Sequence, residues 1–149
     1  MPRTPPHVLA LDLEGTLISN AMSCFPRPGL YDFVEDCRSI FERIVLFTAV
    51  SESRVRLILE LLAREGSTPA WFRDIDVVSW AGDIKDLHFI SGCVPQDVLL
   101  VDDVESYVHP NQREQWVRIL PFVPPYPITD KEFLRVIEEL RRRTTPTNI

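Results

Sequence analysis

The sequence predicts an α/β fold built on a parallel sheet with helices on both faces, and three observations lead there. Short apolar runs at Val8–Leu11, Ile44–Phe47 and Val98–Val101 each stop at a polar or acidic residue, as fully buried strands do. Segments with apolar residues at helical spacing alternate with those runs. The links between them are short, so right-handed crossovers follow.

The elements follow in chain order. Residues 1–6 are proline-rich and read as a frayed end, as do residues 144–149. His7 to Leu11 is a strand closed by Asp12. Residues 13–29 hold Gly15, Pro26, Pro28 and Gly29 and form a loop or hairpin. Leu30, Phe33, Val34, Cys37, Ile40 and Phe41 then mark one face of a helix. Ile44 to Phe47 is a second strand, ending at Thr48. Ser51 or Ser53 caps a second helix whose inner face is Val55, Ile58, Leu59 and Leu62, and Gly66 closes it.

A weaker strand runs from Ile75 to Trp80, and a short helix is expected around Leu87 to Ile90. Val98 to Val101 is a clear strand that runs into Asp102 and Asp103. A fifth strand is expected at Arg118 to Leu120. The bend from Pro121 to Pro127 excludes regular structure. A last helix starts with a capping box, Thr129 and Glu132, and carries Phe133, Val136, Ile137 and Leu140 on its inner face. Arg141, Arg142 and Arg143 suit the negative end of its dipole better than they suit a nucleic-acid patch.

The 149 residues make one domain, 1–149. At 45% hydrophobic and 26% charged, the chain has the composition of a globular protein rather than a disordered one. No apolar run approaches the roughly 20 residues of a membrane helix, and the N-terminus lacks the apolar core of an export signal. A formal net charge of −6 argues against nucleic acid as partner. Cys24, Cys37 and Cys93 are odd in number and show no CxxC. They read as free thiols in a reducing cytoplasm rather than a disulfide framework. His7, His88 and His109 show no metal-ligand spacing.

Chemistry concentrates at the strand ends. Asp12 ends the first strand, Thr48 the second, and Asp102 with Asp103 the fourth, while Lys85 follows the third. Open α/β sheets bind ligands beyond the carboxyl ends of their strands, near the point where strand order reverses. Each of these residues alone could be a turn cap or a strand terminus; their convergence on one edge is the signal.

Four runs of residues resemble the motifs of the haloacid dehalogenase (HAD) superfamily of phosphohydrolases: Asp12-Leu13-Glu14-Gly15-Thr16 after a strand, a strand ending in Thr48, Lys85, and a strand ending in Asp102-Asp103. The chain further resembles the CTD-phosphatase-like, or NLI-interacting-factor-like, branch. Arg27-Pro28-Gly29, Phe47-Thr48-Ala49, Lys85-Asp86-Leu87 and the Pro-rich bend before a final helix carry that likeness. The resemblance implies a three-layer α/β/α sandwich with a mainly parallel sheet and no cap domain. It implies a Mg²⁺-dependent phosphomonoester hydrolase working through an aspartyl-phosphate.

Asp12 would be the nucleophile. Asp12, the Glu14 backbone carbonyl and Asp103 would hold Mg²⁺, with Asp102 behind them, paired with Lys85. Thr48, Ala49 and Lys85 would bind the phosphoryl group. Glu14 departs from the usual Asp at its position. It would serve as general acid and base with a side chain one methylene longer.

Asp12 and Thr48 are 36 positions apart, which leaves room for one helix and a flap around 16–28 but no cap. An open site admits a macromolecular phosphoester, such as a phosphoprotein. The alternatives are a phosphate- or phosphopeptide-binding module with weakened turnover, and a small-molecule or polynucleotide phosphatase.

Overall fold

The computed structural model describes residues 4–146. Its strands are β1 (Val8–Leu11), β2 (Arg43–Leu46), β3 (Asp76–Val77), β4 (Val98–Asp102) and β5 (Trp116–Arg118); its α-helices are α1 (Leu30–Ile40), α2 (Glu52–Arg64) and α3 (Glu132–Thr144). All strand pairs are parallel, in the order β3-β2-β1-β4-β5.

That order fixes which face each connection covers. From β1 to β3 the chain steps outward in one direction, and right-handed crossovers put α1 and α2 on one face. From β3 it returns past β1 to β4, so this connection covers the opposite face. Side-chain alternation agrees. Leu9, Leu11, Leu46, Leu99 and Val101 share a buried cluster with α1, α2 and α3. Val8, Ala10, Val45, Phe47, Val98 and Leu100 pack instead against Leu87 and Ile90, around a 3₁₀ turn at Leu87–Phe89. The second outer layer is thus built from 3₁₀ turns and extended chain. Phe33 of α1 stacks on Phe133 of α3 with centroids 4.2 Å apart, locking those two helices together.

Several local expectations need correction. Ser51 stands at the N-cap of α2 but its side chain makes no cap hydrogen bond, and Ser53 lies within the helix. Gly66 does end α2: at φ +75° its N–H bonds the Ala63 carbonyl while the Ser67 N–H reaches Leu62. The Thr129–Glu132 capping box does not form. Lys131 takes the N-cap, and the Glu132 carboxylate instead accepts the Leu120 N–H at 3.0 Å and pairs with Arg135. The third strand contracts to Asp76–Val77, and the chain then leaves toward Trp80. The fifth strand begins two residues early, because Leu100 pairs with Trp116. The expected frayed ends fall outside the described residues except for 4–6 and 144–146; Thr144 closes α3 with its hydroxyl on the Leu140 carbonyl. Among the described residues no helix is long and apolar enough to cross a membrane.

Candidate active site

The switch in chain direction lies between β1 and β4, and the acids gather there. The Asp12 N–H donates to the Val101 carbonyl at 3.0 Å, clamping the two strand ends together. β1 thereby delivers Asp12 beside Asp102, the last residue of β4, and Asp103 beyond it. One carboxylate oxygen from each of the three lies within 4.8 Å of the others.

Lys85 enters this cluster from the covering layer on the second face. Its backbone N–H bonds the Tyr107 carbonyl at 2.8 Å, and its ammonium lies 4.6 Å from the Tyr107 ring centroid. Its side chain is fully buried, and Nζ donates to Asp12 Oδ1 at 2.9 Å and Asp102 Oδ2 at 2.6 Å. The other Asp102 oxygen accepts the Val104 N–H at 2.9 Å. The Thr16 hydroxyl lies 2.8 Å from Asp12 Oδ2 and 3.1 Å from Asp103 Oδ1, within reach of both acids. Asp12 is therefore held at both oxygens.

The electrostatics reflect three acids facing one ammonium. Burial, and then the Asp12 charge, push the Asp102 carboxyl up to about 6 against the pull of Lys85. Burial, a hydrogen bond with Asp12 and the two neighbouring charges push Asp103 up to about 7. For Lys85, burial opposes the charge but Asp12 and Asp102 outweigh it, and the net shift is upward.

A hard divalent cation fits this arrangement. The donors are all oxygen, and the negative charge exceeds what Lys85 compensates. Among the described residues, Asp102 has both oxygens committed to protein donors, whereas Asp103 has only the shared hydroxyl of Thr16 as a side-chain donor. Gly15 leaves the space for this: at φ +75°, a Cβ there would sit 2.5 Å from Asp103 Oδ2.

Among the described residues, no hydrogen bond ties Thr48 or Glu14 to the acid cluster, and the cleft lined by Thr48 and Ala49 does not include the acids. Thr48, just past β2, is buried; its hydroxyl accepts the Val50 N–H at 3.1 Å and its carbonyl accepts the Trp80 indole N–H at 2.8 Å. Thr48 and Ala49 line an open cleft of about 370 Å³ with Ser51, Ser79 and Trp80. Glu14 turns toward the flap, where Oε2 accepts the Ala21 N–H at 2.7 Å; the Ala21 carbonyl in turn accepts Arg54.

Sequence reasoning gave no role to Thr16, Trp80 or Tyr107. Thr16 had a signal, since it stands inside the Asp12–Thr16 run. Trp80 and Tyr107 had none, because their contacts with Thr48 and Lys85 span 32 and 22 positions.

The family model described as NLI interacting factor-like phosphatase matches residues 7–147. No curated protein matches the chain in sequence. Among solved structures, a variant of the fission yeast RNA polymerase II CTD phosphatase Fcp1 bound to beryllium fluoride is similar in fold, with a TM-score of 0.58 and 13% identity. The match covers 92% of this chain and 50% of that one, so the chain spans about half the length of that neighbour. With nearly its whole length matched and its acids gathered at the β1–β4 switch, the chain belongs to the NLI interacting factor-like phosphatases, within the HAD-type phosphatases.

Proposed function

We propose that this phosphatase is a Mg²⁺-dependent phosphomonoester hydrolase acting through an aspartyl-phosphate on Asp12, with an accessible macromolecular substrate such as a phosphoprotein. The observation that carries the reading is the fixing of Asp12 at both oxygens, by Lys85 and by Thr16, next to two further acids. A carboxylate pinned in this way has its attack direction set before the substrate arrives, which removes orientational cost from the barrier.

Asp12 attacks phosphorus, and the bond from phosphorus to the leaving oxygen breaks. Glu14 gives that oxygen a proton, then takes one from the water that cleaves the aspartyl-phosphate and releases phosphate. Lys85 offsets charge on the phosphoryl oxygens, and Thr48 with the Ala49 backbone holds them. Asp12, Asp103 and the Glu14 carbonyl would hold Mg²⁺, with Asp102 supporting Lys85. When bound, the ion would supply positive charge that offsets the repulsion of a carboxylate for a phosphate dianion.

The cleft beside Thr48 is open, which supports a large phosphoester. The fission yeast neighbour is a phosphatase of the RNA polymerase II CTD, itself a protein substrate. The free thiols of Cys24, Cys37 and Cys93 support a reducing, cytoplasmic setting. A second reading, a phosphopeptide-binding module with weakened turnover, draws on the bond between Glu14 and the flap.

The test is hydrolysis of an aryl phosphate and of phosphopeptides with Mg²⁺ and with excess chelator. The expected result is turnover that the chelator abolishes and that Asp12→Asn removes without loss of fold. Binding of phosphopeptide without turnover selects the second reading, and full activity in Asp12→Asn overturns the nucleophile.

A further inference from the structure

We propose that Arg27, gripped by Asp130, is a positioning residue for the carboxylate site: it fixes the Gly15–Thr16 segment from behind and, through Thr16, sets the spacing of Asp12 and Asp103 and thereby the affinity for Mg²⁺. The inference rests on the metal-dependent reading above.

Arg27 is a cation with 1% exposure, among the largest buried side chains of the protein. Its Nε and Nη2 donate to the two oxygens of Asp130 at 2.8 and 3.0 Å, a two-pronged pair between residues 103 positions apart. Its Nη1 donates to the carbonyls of Gly15 and Thr16, at 3.3 Å each. Phe122 and Phe133 flank the guanidinium, with ring centroids 5.4 and 5.6 Å from it. The Phe122 N–H adds a second donor to the Gly15 carbonyl at 2.8 Å.

A buried ion pair is weak evidence for stability by itself, since desolvation offsets much of its attraction. What distinguishes this pair is where the third arm ends. The two carbonyls it holds belong to the residue that abuts Asp103 and the residue whose hydroxyl touches Asp12 and Asp103. Slack in this segment reaches both carboxylates through the Thr16 hydroxyl. Only a planar fork can bond a carboxylate on one side and peptide carbonyls on the other while lying between two rings; an ammonium in its place cannot. The Arg-Pro-Gly run thus acts on the acid cluster without touching it.

The test is calorimetric titration of the full chain with Mg²⁺, without substrate, on wild type, Arg27→Lys, Thr16→Val and the double variant, with melting curves alongside. Losing an outer partner of a metal ligand weakens affinity about 10–100-fold, and that loss is expected in Arg27→Lys and in Thr16→Val. If Arg27 acts through Thr16, the double variant binds Mg²⁺ within about 2-fold of Thr16→Val alone, whereas independent effects would multiply. At saturating Mg²⁺, the KM of Arg27→Lys for an aryl phosphate stays at the wild-type value. Unchanged Mg²⁺ affinity in a folded Arg27→Lys, or a multiplicative double variant, overturns the inference. Should Arg27→Lys fail to fold, Asp130→Asn takes its place under the same criteria. Wild type that binds no Mg²⁺ overturns the metal reading and this inference together; wild type that binds it while the variants bind equally well overturns this inference alone.

Discussion

Replacing Lys85 with methionine keeps most of the side-chain volume and removes the ammonium 2.9 Å from Asp12 and 2.6 Å from Asp102. At an effective dielectric of about 20, each pair at such a distance attracts by roughly 6 kcal/mol. Much of that attraction only offsets the desolvation of three buried charges. Breaking such a pair by removing one partner costs about 3–5 kcal/mol. In a chain of this size each kcal/mol moves Tm by about 2–4 °C, so the metal-free variant should melt roughly 6–20 °C below wild type. Mg²⁺ returns positive charge to the stranded acids and should raise the variant's Tm more than that of wild type. Turnover should fall about 10²–10³-fold, as it does when one preorganised charge-stabilising donor is lost. Scanning calorimetry with and without Mg²⁺, together with an aryl phosphatase assay, measures all three quantities. A variant within about 2 °C of wild type without metal would refute the buried ion-pair account. Unchanged turnover would remove Lys85 from the chemistry.

Glu14→Gln should lower turnover about 10²–10⁴-fold with little change in Mg²⁺ affinity, and rapid-quench mass measurement should show phosphoenzyme building up with good leaving groups. Gly15→Ala places a Cβ 2.5 Å from Asp103 Oδ2 in a left-handed backbone conformation. It should weaken Mg²⁺ binding at least about 10-fold, read by titration calorimetry. The metal-free protein should lose stability as pH rises from about 4 to about 7. Asp102 and Asp103 titrate near 6 and 7 rather than at the ordinary 3.8, so in that window the folded chain holds more protons than the unfolded one. Saturating Mg²⁺ should flatten that decline in melting curves taken across the range.

The β1, β2 and β4 strands were legible because a strand buried on both faces is an unbroken apolar run with little else to become. The gathering of Asp12, Asp102 and Asp103 was legible for a related reason: a polar residue directly after such a run has only the sheet edge to occupy. The misses are contests between local and distant partners. Glu132 has the spacing of a capping box, but the Leu120 N–H and Arg135 claim its carboxylate. Arg27 stood out only as part of the Arg27-Pro28-Gly29 likeness, with no partner in view, because Asp130 lies 103 positions away. The short β3 follows from its partner: only Val45 and Leu46 pair with it, and β2 ends there.

The sheet's outermost strands have two and three residues and carry the exposed charges of Asp76 and Arg118. Open edges normally offer rows of unpaired amides to other chains, and short, charged edges offer too few to template pairing. The segments best suited to self-association, the apolar runs of β1 and β4, are screened on both sides by other strands. The outer strands therefore act as bumpers for the interior. Replacing Asp76 with a β-branched apolar residue would be felt first as aggregation at high concentration.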